Sequence, residues 1–169
     1  MKNTYLLLLF CSILFSCSDD DSKPTEIQQS TGSITVEYNN EKIIFENPEL
    51  ILFDTTQEYD LIAIGRIEFK NTDVDKYFVH LTFNKEDKNF VLHSVNFNTT
   101  EQVGTQTYHV INYSAFATGP IISDNFYNTT SLDSQNIFTG SFNGVLSSQN
   151  ESSIEIPKAF FNLNLTDKN

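Results

Sequence analysis

From Gly32 to Leu165 apolar residues keep returning at every second position, and they are mostly β-branched or aromatic. A period of two built from such side chains predicts half-buried strands. Strands are expected at 33–38 and 42–45, on either side of Asn39-Asn40, a pair suited to a tight hairpin turn. A short apolar strand follows at 50–53, then a turn at 54–57 and a strand at 61–69 with a bend at Gly65. Segments 77–83 and 90–97 form a long hairpin around the charged loop 84–89, and 106–113 is another strand. Residues 115–132, rich in Gly, Pro, Asn and Ser, are expected to be a long loop with room for one short strand.

The closing segments are more regular. Phe138, Gly140, Phe142, Gly144 and Leu146 alternate without a slip. Ile154 and Ile156, then Phe161, Leu163 and Leu165, alternate with a phase change at Pro157, and a proline inside a strand implies an edge or a bulge. No segment of the mature chain has helical spacing. About 8 to 10 strands joined mostly by hairpin-length turns predict an all-β, antiparallel fold, either a β-sandwich or an up-and-down, lipocalin-like barrel.

Ahead of the alternating region the pattern changes twice. Lys2, an apolar run from Tyr5 to Phe15 and the small Ser16 read as a cleaved signal peptide. The run is about half the ~20 residues that a membrane-crossing helix requires. Residues 18–30 are polar, contain Pro24 and show no apolar period, which reads as a linker. The expected organisation is a signal peptide at 1–16, a flexible tether at 17–31 and a single all-β domain at 32–169.

Composition narrows the function classes. Ten Lys plus Arg stand against 22 Asp plus Glu, a net charge of −12, and a surface of that sign repels nucleic acid. The chain has 15 Phe, 7 Tyr and no Trp, so a sugar platform built on Trp is not available. Of two cysteines, Cys11 lies in the leader, leaving Cys17 alone at the start of the mature chain without a disulfide partner. Stability therefore rests on a packed core.

The run Leu14-Phe15-Ser16-Cys17 resembles the lipobox of bacterial lipoproteins, although Phe15 is bulkier than that pattern prefers. The resemblance implies lipidation of Cys17, with outer-membrane lipid as the partner held through the acylated residue. Two or more acyl chains anchor a protein stably where one does not. Ser18 departs from the inner-membrane retention signal, and Ser18-Asp19-Asp20-Asp21 resembles the acidic export signal of lipoproteins displayed on Bacteroidota cells. Surface display is the expectation, with the periplasmic face as the alternative. Thr55, in Asp54-Thr55-Thr56, resembles the O-glycosylation pattern of the same group. The ending FTGSFNGVL at 138–146, then Ile154-Glu155-Ile156 and a Phe-containing strand, resembles small Bacteroidota outer-membrane lipoproteins. Pro157-Lys158-Ala159 replaces their usual Asn-Gly turn. That family brings no established activity.

Candidate chemistry is sparse. If the loop 84–89 closes its hairpin symmetrically, His80 pairs with His93 and the two imidazoles face each other across the ladder, a weak metal candidate. One bulged residue would separate them. Glu37, Glu41, Glu46, Asp54, Glu58, Asp60 and Glu68 offer carboxylates, but a solvated face explains them better than a glycosidase pair. Asp73, Asp75, Glu86 and Asp87 could make a loose Ca²⁺ site, and no EF-hand loop is present. No G-x-S-x-G elbow occurs, and no catalytic residue, enzyme activity or cofactor is assigned. The Phe residues either fill a closed core or line a barrel that holds a small apolar ligand. The expectation is a non-enzymatic binding or interaction module for an unknown protein or glycan, presenting loops 98–104 and 115–132, with a lipocalin-like carrier as the alternative.

Overall fold

The computed structural model describes residues 26–53, 60–118 and 122–166. The chain is all-β there, with eleven strands: β1 (Glu26–Gln29), β2 (Ser33–Tyr38), β3 (Glu41–Glu46), β4 (Glu49–Leu52), β5 (Leu61–Glu68), β6 (Asp75–Glu86), β7 (Asn89–Gln102), β8 (Tyr108–Phe116), β9 (Phe126–Leu132), β10 (Ile137–Leu146) and β11 (Ile154–Asn164). They form a six-stranded sheet, ordered β1-β4-β5-β6-β7-β8, and a five-stranded sheet, ordered β3-β2-β11-β10-β9. All pairings are antiparallel. The architecture is a sandwich, not a closed barrel.

Two corners join the sheets. On one side β1 and β2 run beside β4 and β3 as one bent hairpin. Its register passes from Ser33 opposite Glu46 to Gln29 opposite Glu49. Between them Ser30 N–H donates to the Pro48 carbonyl and Asn47 N–H to the Gly32 carbonyl, both at 2.9 Å. Asn47 takes φ 50° at the bend. On the other side the chain leaves β8 in the first sheet and enters β9 in the second. Ser123 N–H returns to the Phe116 carbonyl at 2.9 Å, and Val145 N–H reaches the Asn125 carbonyl at 3.2 Å. Strands that switch sheets in this way are how sandwich corners are made.

The core has two chemically distinct ends. At one end Phe83, Phe90, Phe138 and Phe161 form a ring cluster. Phe138 lies 5.0 Å from Phe83, 5.1 Å from Phe161 and 5.6 Å from Phe90 between centroids. At the other end Phe97 meets Tyr38 at 5.4 Å and Tyr77 at 6.2 Å. Large residues interlock with glycines across the layers. A Cβ on Gly65 would fall 2.6 Å from Phe45 Cβ, and one on Gly140 would fall 2.3 Å from the Phe161 ring. The alternating Phe and Gly of β10 therefore supply knobs and the holes that receive them.

Several sequence expectations need correction. The tether was expected to reach residue 31, but its last part forms β1, because β4 offers an edge to pair with. At Gly65, where a bend is expected, the pairing of β5 with β6 is unbroken, and its irregularity falls between Ile67 and Glu68. The charged loop 84–89 shrinks to a turn at Asp87-Lys88, with Asp87 at φ 54°, so both strands run further than their apolar stretches. Of the 18 residues of the expected loop 115–132, nine are strand: Ala115 and Phe116 close β8, and β9 is the short strand for which the sequence left room. Asn39 and Asn40, at φ 51° and 60°, make the expected hairpin turn. The phase change at Pro157 is a bulge inside one continuous strand, where Phe142 pairs with Ala159 but Gly144 with Ile156.

Candidate functional site

The site arises where β8 runs out of partners. Ile111, Tyr113 and Ala115 turn toward the core, while Val110, Asn112, Ser114 and Phe116 turn outward. Backbone groups alternate with the same period, so the N–H and C=O of the outward residues point away from β7 to the far edge. Ser114 spends its pair on Ser147, donating at 2.8 Å and accepting at 2.9 Å. The Phe116 N–H donates to Ser123 Oγ at 2.9 Å. Val110 and Asn112 have no partner on that edge among the described residues.

Past Ser147 the chain diverges from β8 and a wedge opens. It is a cleft of about 380 Å³, walled by residues 109–114 on one side and 147–151 on the other. Asn96, the cross-strand neighbour of Ser114, also lines it. This volume is at the small end of the roughly 300–1,000 Å³ usual for ligand pockets. Its lining is mostly amide and hydroxyl, with one carboxylate, Glu151, and one imidazole, His109. Such a lining is rich in hydrogen-bond donors and acceptors and poor in charge. A second, smaller cleft of about 250 Å³ lies at the bent-hairpin corner, beside Gly32, Glu46 and Asn162.

The tyrosine end of the core adjoins the main cleft through Tyr113, which lines it while only 5% exposed. Burial pushes the Tyr113 phenol above the ordinary tyrosine range, and the neighbouring Tyr38 adds to the shift. Tyr77 is raised for the same main reason, reinforced by the Glu41 carboxylate. Both phenols therefore remain protonated donors at neutral pH.

The structure does not bring the two histidines together. His80 pairs with Asn96, and the register shifts between Thr82 and Phe83 so that His93 is the extra, bulged residue of β7. The symmetric hairpin assumed for the weak metal candidate fails for two reasons: the turn falls at Asp87-Lys88, pairing Glu86 with Asn89 and so moving the register by two residues, and the bulge moves it by one more. His93 is buried, with Nδ1 3.0 Å from Thr118 Oγ1 and its ring edge-on to Phe116. His80 is half-buried on the outer face, and burial lowers its pKa. Thr82 and Ser94, the next outward pair, share a buried 2.7 Å hydrogen bond.

The other candidates scatter. Asp73 and Asp75 lie at the start of the twelve-residue β6, and Glu86 and Asp87 at its far end. At ~3.3 Å per residue they are roughly 35 Å apart, so no shared Ca²⁺ site forms. Asp75 instead pairs with Arg66 at 3.1 Å, and Asp60 accepts the Lys85 N–H at 2.6 Å. Among the described residues no group of three or more His, Cys, Asp or Glu is placed to hold a metal ion. Cys17, Ser18, Asp19, Asp20, Asp21, Asp54, Thr55 and Glu58 lie outside the described residues.

Sequence reasoning missed the cleft. Residues 108–116 and 147–151 are each readable as strand and polar gap, but nothing local signals that they adjoin. No protein-family model, curated protein or solved structure matches this chain.

Proposed function

We propose that this protein is a lipid-anchored, surface-displayed β-domain acting as a non-enzymatic binding module, with the β8 cleft as its contact site. The observation that carries the reading is the cleft itself: a concave, hydrogen-bonding surface of about 380 Å³ beside strand-edge groups that no other described residue uses. Anchoring is supported by the Leu14-Phe15-Ser16-Cys17 run, and display by the acidic residues after it. The carrier alternative has less support, because Phe45, Phe83, Phe97, Phe138, Phe142 and Phe161 are all fully or almost fully buried between the sheets.

Two measurements test the proposal. An alkyne-palmitate label should be incorporated by the full chain and lost in Cys17→Ala; equal labelling would remove the anchor. A photo-crosslinking residue placed at Asn112 in living cells should give discrete adducts, while the same residue at Ser131, on the other sheet, should not. Equal yields from both positions would remove the cleft as the contact site.

A further inference from the structure

The free edge of β8 is a strand acceptor. We infer that the cleft receives a single extended polypeptide segment, free of acidic side chains, which adds to the six-stranded sheet beside residues 108–113. This rests on the binding-module reading and names the class of its partner.

Three observations lead there. First, Val110 and Asn112 each aim an N–H and a C=O at the cleft, two residues apart, which is the spacing an antiparallel strand satisfies. Ser114 shows the pairing already begun, since its bridge to Ser147 occupies the next position along the same edge. Second, β8 lacks the protection that exposed edges usually carry. Its sequence YHVINYSAF has no Lys, Arg, Asp, Glu or Pro, whereas the edge strand β3, EKIIFE, carries three charges. The β9 edge is covered in part by Asn89, whose Nδ2 donates to the Thr130 carbonyl at 3.4 Å. An uncharged edge with open backbone groups is what strand-addition domains present to peptides.

Third, the far wall limits what fits. Neighbouring strands sit about 4.8 Å apart, and the chain at 147–151 stands across the cleft. That wall favours a lone strand over a broader partner. A second copy pairing through its own β8 would bring its β7 against residues 147–151. Charge selects further, because Glu151 lines the wall and the whole chain carries −12, so acidic segments are repelled.

The test uses the full-length protein in detergent and a phage-displayed library of random linear peptides. Selected peptides, made synthetically, should slow amide exchange at Val110 and Asn112. N-methylation of alternate peptide residues should separate into two sets, one weakening binding by about tenfold or more and the other having little effect, because only one set points its N–H groups at β8. Val110→Pro should lose binding while Val110→Ala keeps it; proline is tolerated where an edge N–H faces solvent, so the fold survives. Failure to select any peptide, protection confined to other strands, or equal loss from both N-methyl sets would overturn strand addition. Neutral polysaccharides that occupy the cleft without protecting those two amides would overturn it too, yet leave the binding-module proposal standing. Crosslinking yields at Asn112 and Ser131 judge that proposal separately.

Discussion

The two ends of the sandwich solve the same problem with different chemistry. At the phenylalanine end, Phe83, Phe138 and Phe161 bring their rings within 5.0–5.4 Å of one another. At the tyrosine end, Tyr38, Tyr77 and Tyr113 surround Phe97 and Thr99 and carry hydroxyls toward the rim. An all-carbon end stabilises through area removed from water. A phenol-capped end gives up part of that gain and presents hydrogen-bonding groups beside a cleft. Aromatic burial is thus greatest at one end, and the proposed contact site adjoins the other.

The largest test of this contrast is Phe138→Ala. It removes a fully buried ring that touches three others and should cost roughly 3–5 kcal/mol in urea unfolding. A cost below about 1 kcal/mol, the scale of a typical surface change, would mean the ring cluster is not the anchor of the fold. Gly140→Ala should come next, at roughly 1–3 kcal/mol. Its new methyl would meet both the Thr129 carbonyl and the Phe161 ring. The companion change Phe161→Leu should recover part of that loss; no recovery would show that the backbone contact dominates.

At the tyrosine end the expected effect appears in pH dependence. Tyr77 and Tyr113 have folded pKa values raised above the ordinary 10.0, chiefly by burial. The unfolded chain therefore releases protons first as pH rises, and the stability held below pH 10 is lost as pH climbs through the folded values. Tyr113→Phe should flatten the fall in unfolding midpoint between about pH 9 and pH 11. An unchanged slope would refute the burial argument.

The smallest effect belongs to His80, on the outer face between the two ends. Burial lowers its pKa, so the folded state holds fewer protons than the unfolded chain just below pH 6.5. Stability contributed by neutral His80 is full above that pH and declines as pH falls toward the folded value. His80→Asn should make the unfolding midpoint less sensitive between about pH 7.5 and pH 5. Equal sensitivity in both proteins would assign the slope to other groups.

Period-two alternation with β-branched and aromatic residues was enough to read the all-β class and most strand positions, because side chains on a pleated ribbon must alternate between core and solvent. β2 and β10 match their apolar runs residue for residue. Asn39-Asn40 declared a turn and Pro157 an edge or a bulge through their own backbone restrictions, which no distant partner has to supply, and the structure makes the second a bulge. Sandwich rather than barrel, the two corners, and the bulge that leaves His93 without a cross-strand partner in β6 were decided by contacts between remote segments. Register depends on which bulge the whole sheet can absorb, and one extra residue in β7 changes every pairing beyond it without any mark in the local pattern. The cleft is of the same kind. Val110 and Asn112 look like any exposed strand residues until the chain at 147–151 stands across from them, and that juxtaposition exists only once both sheets have closed on their shared core.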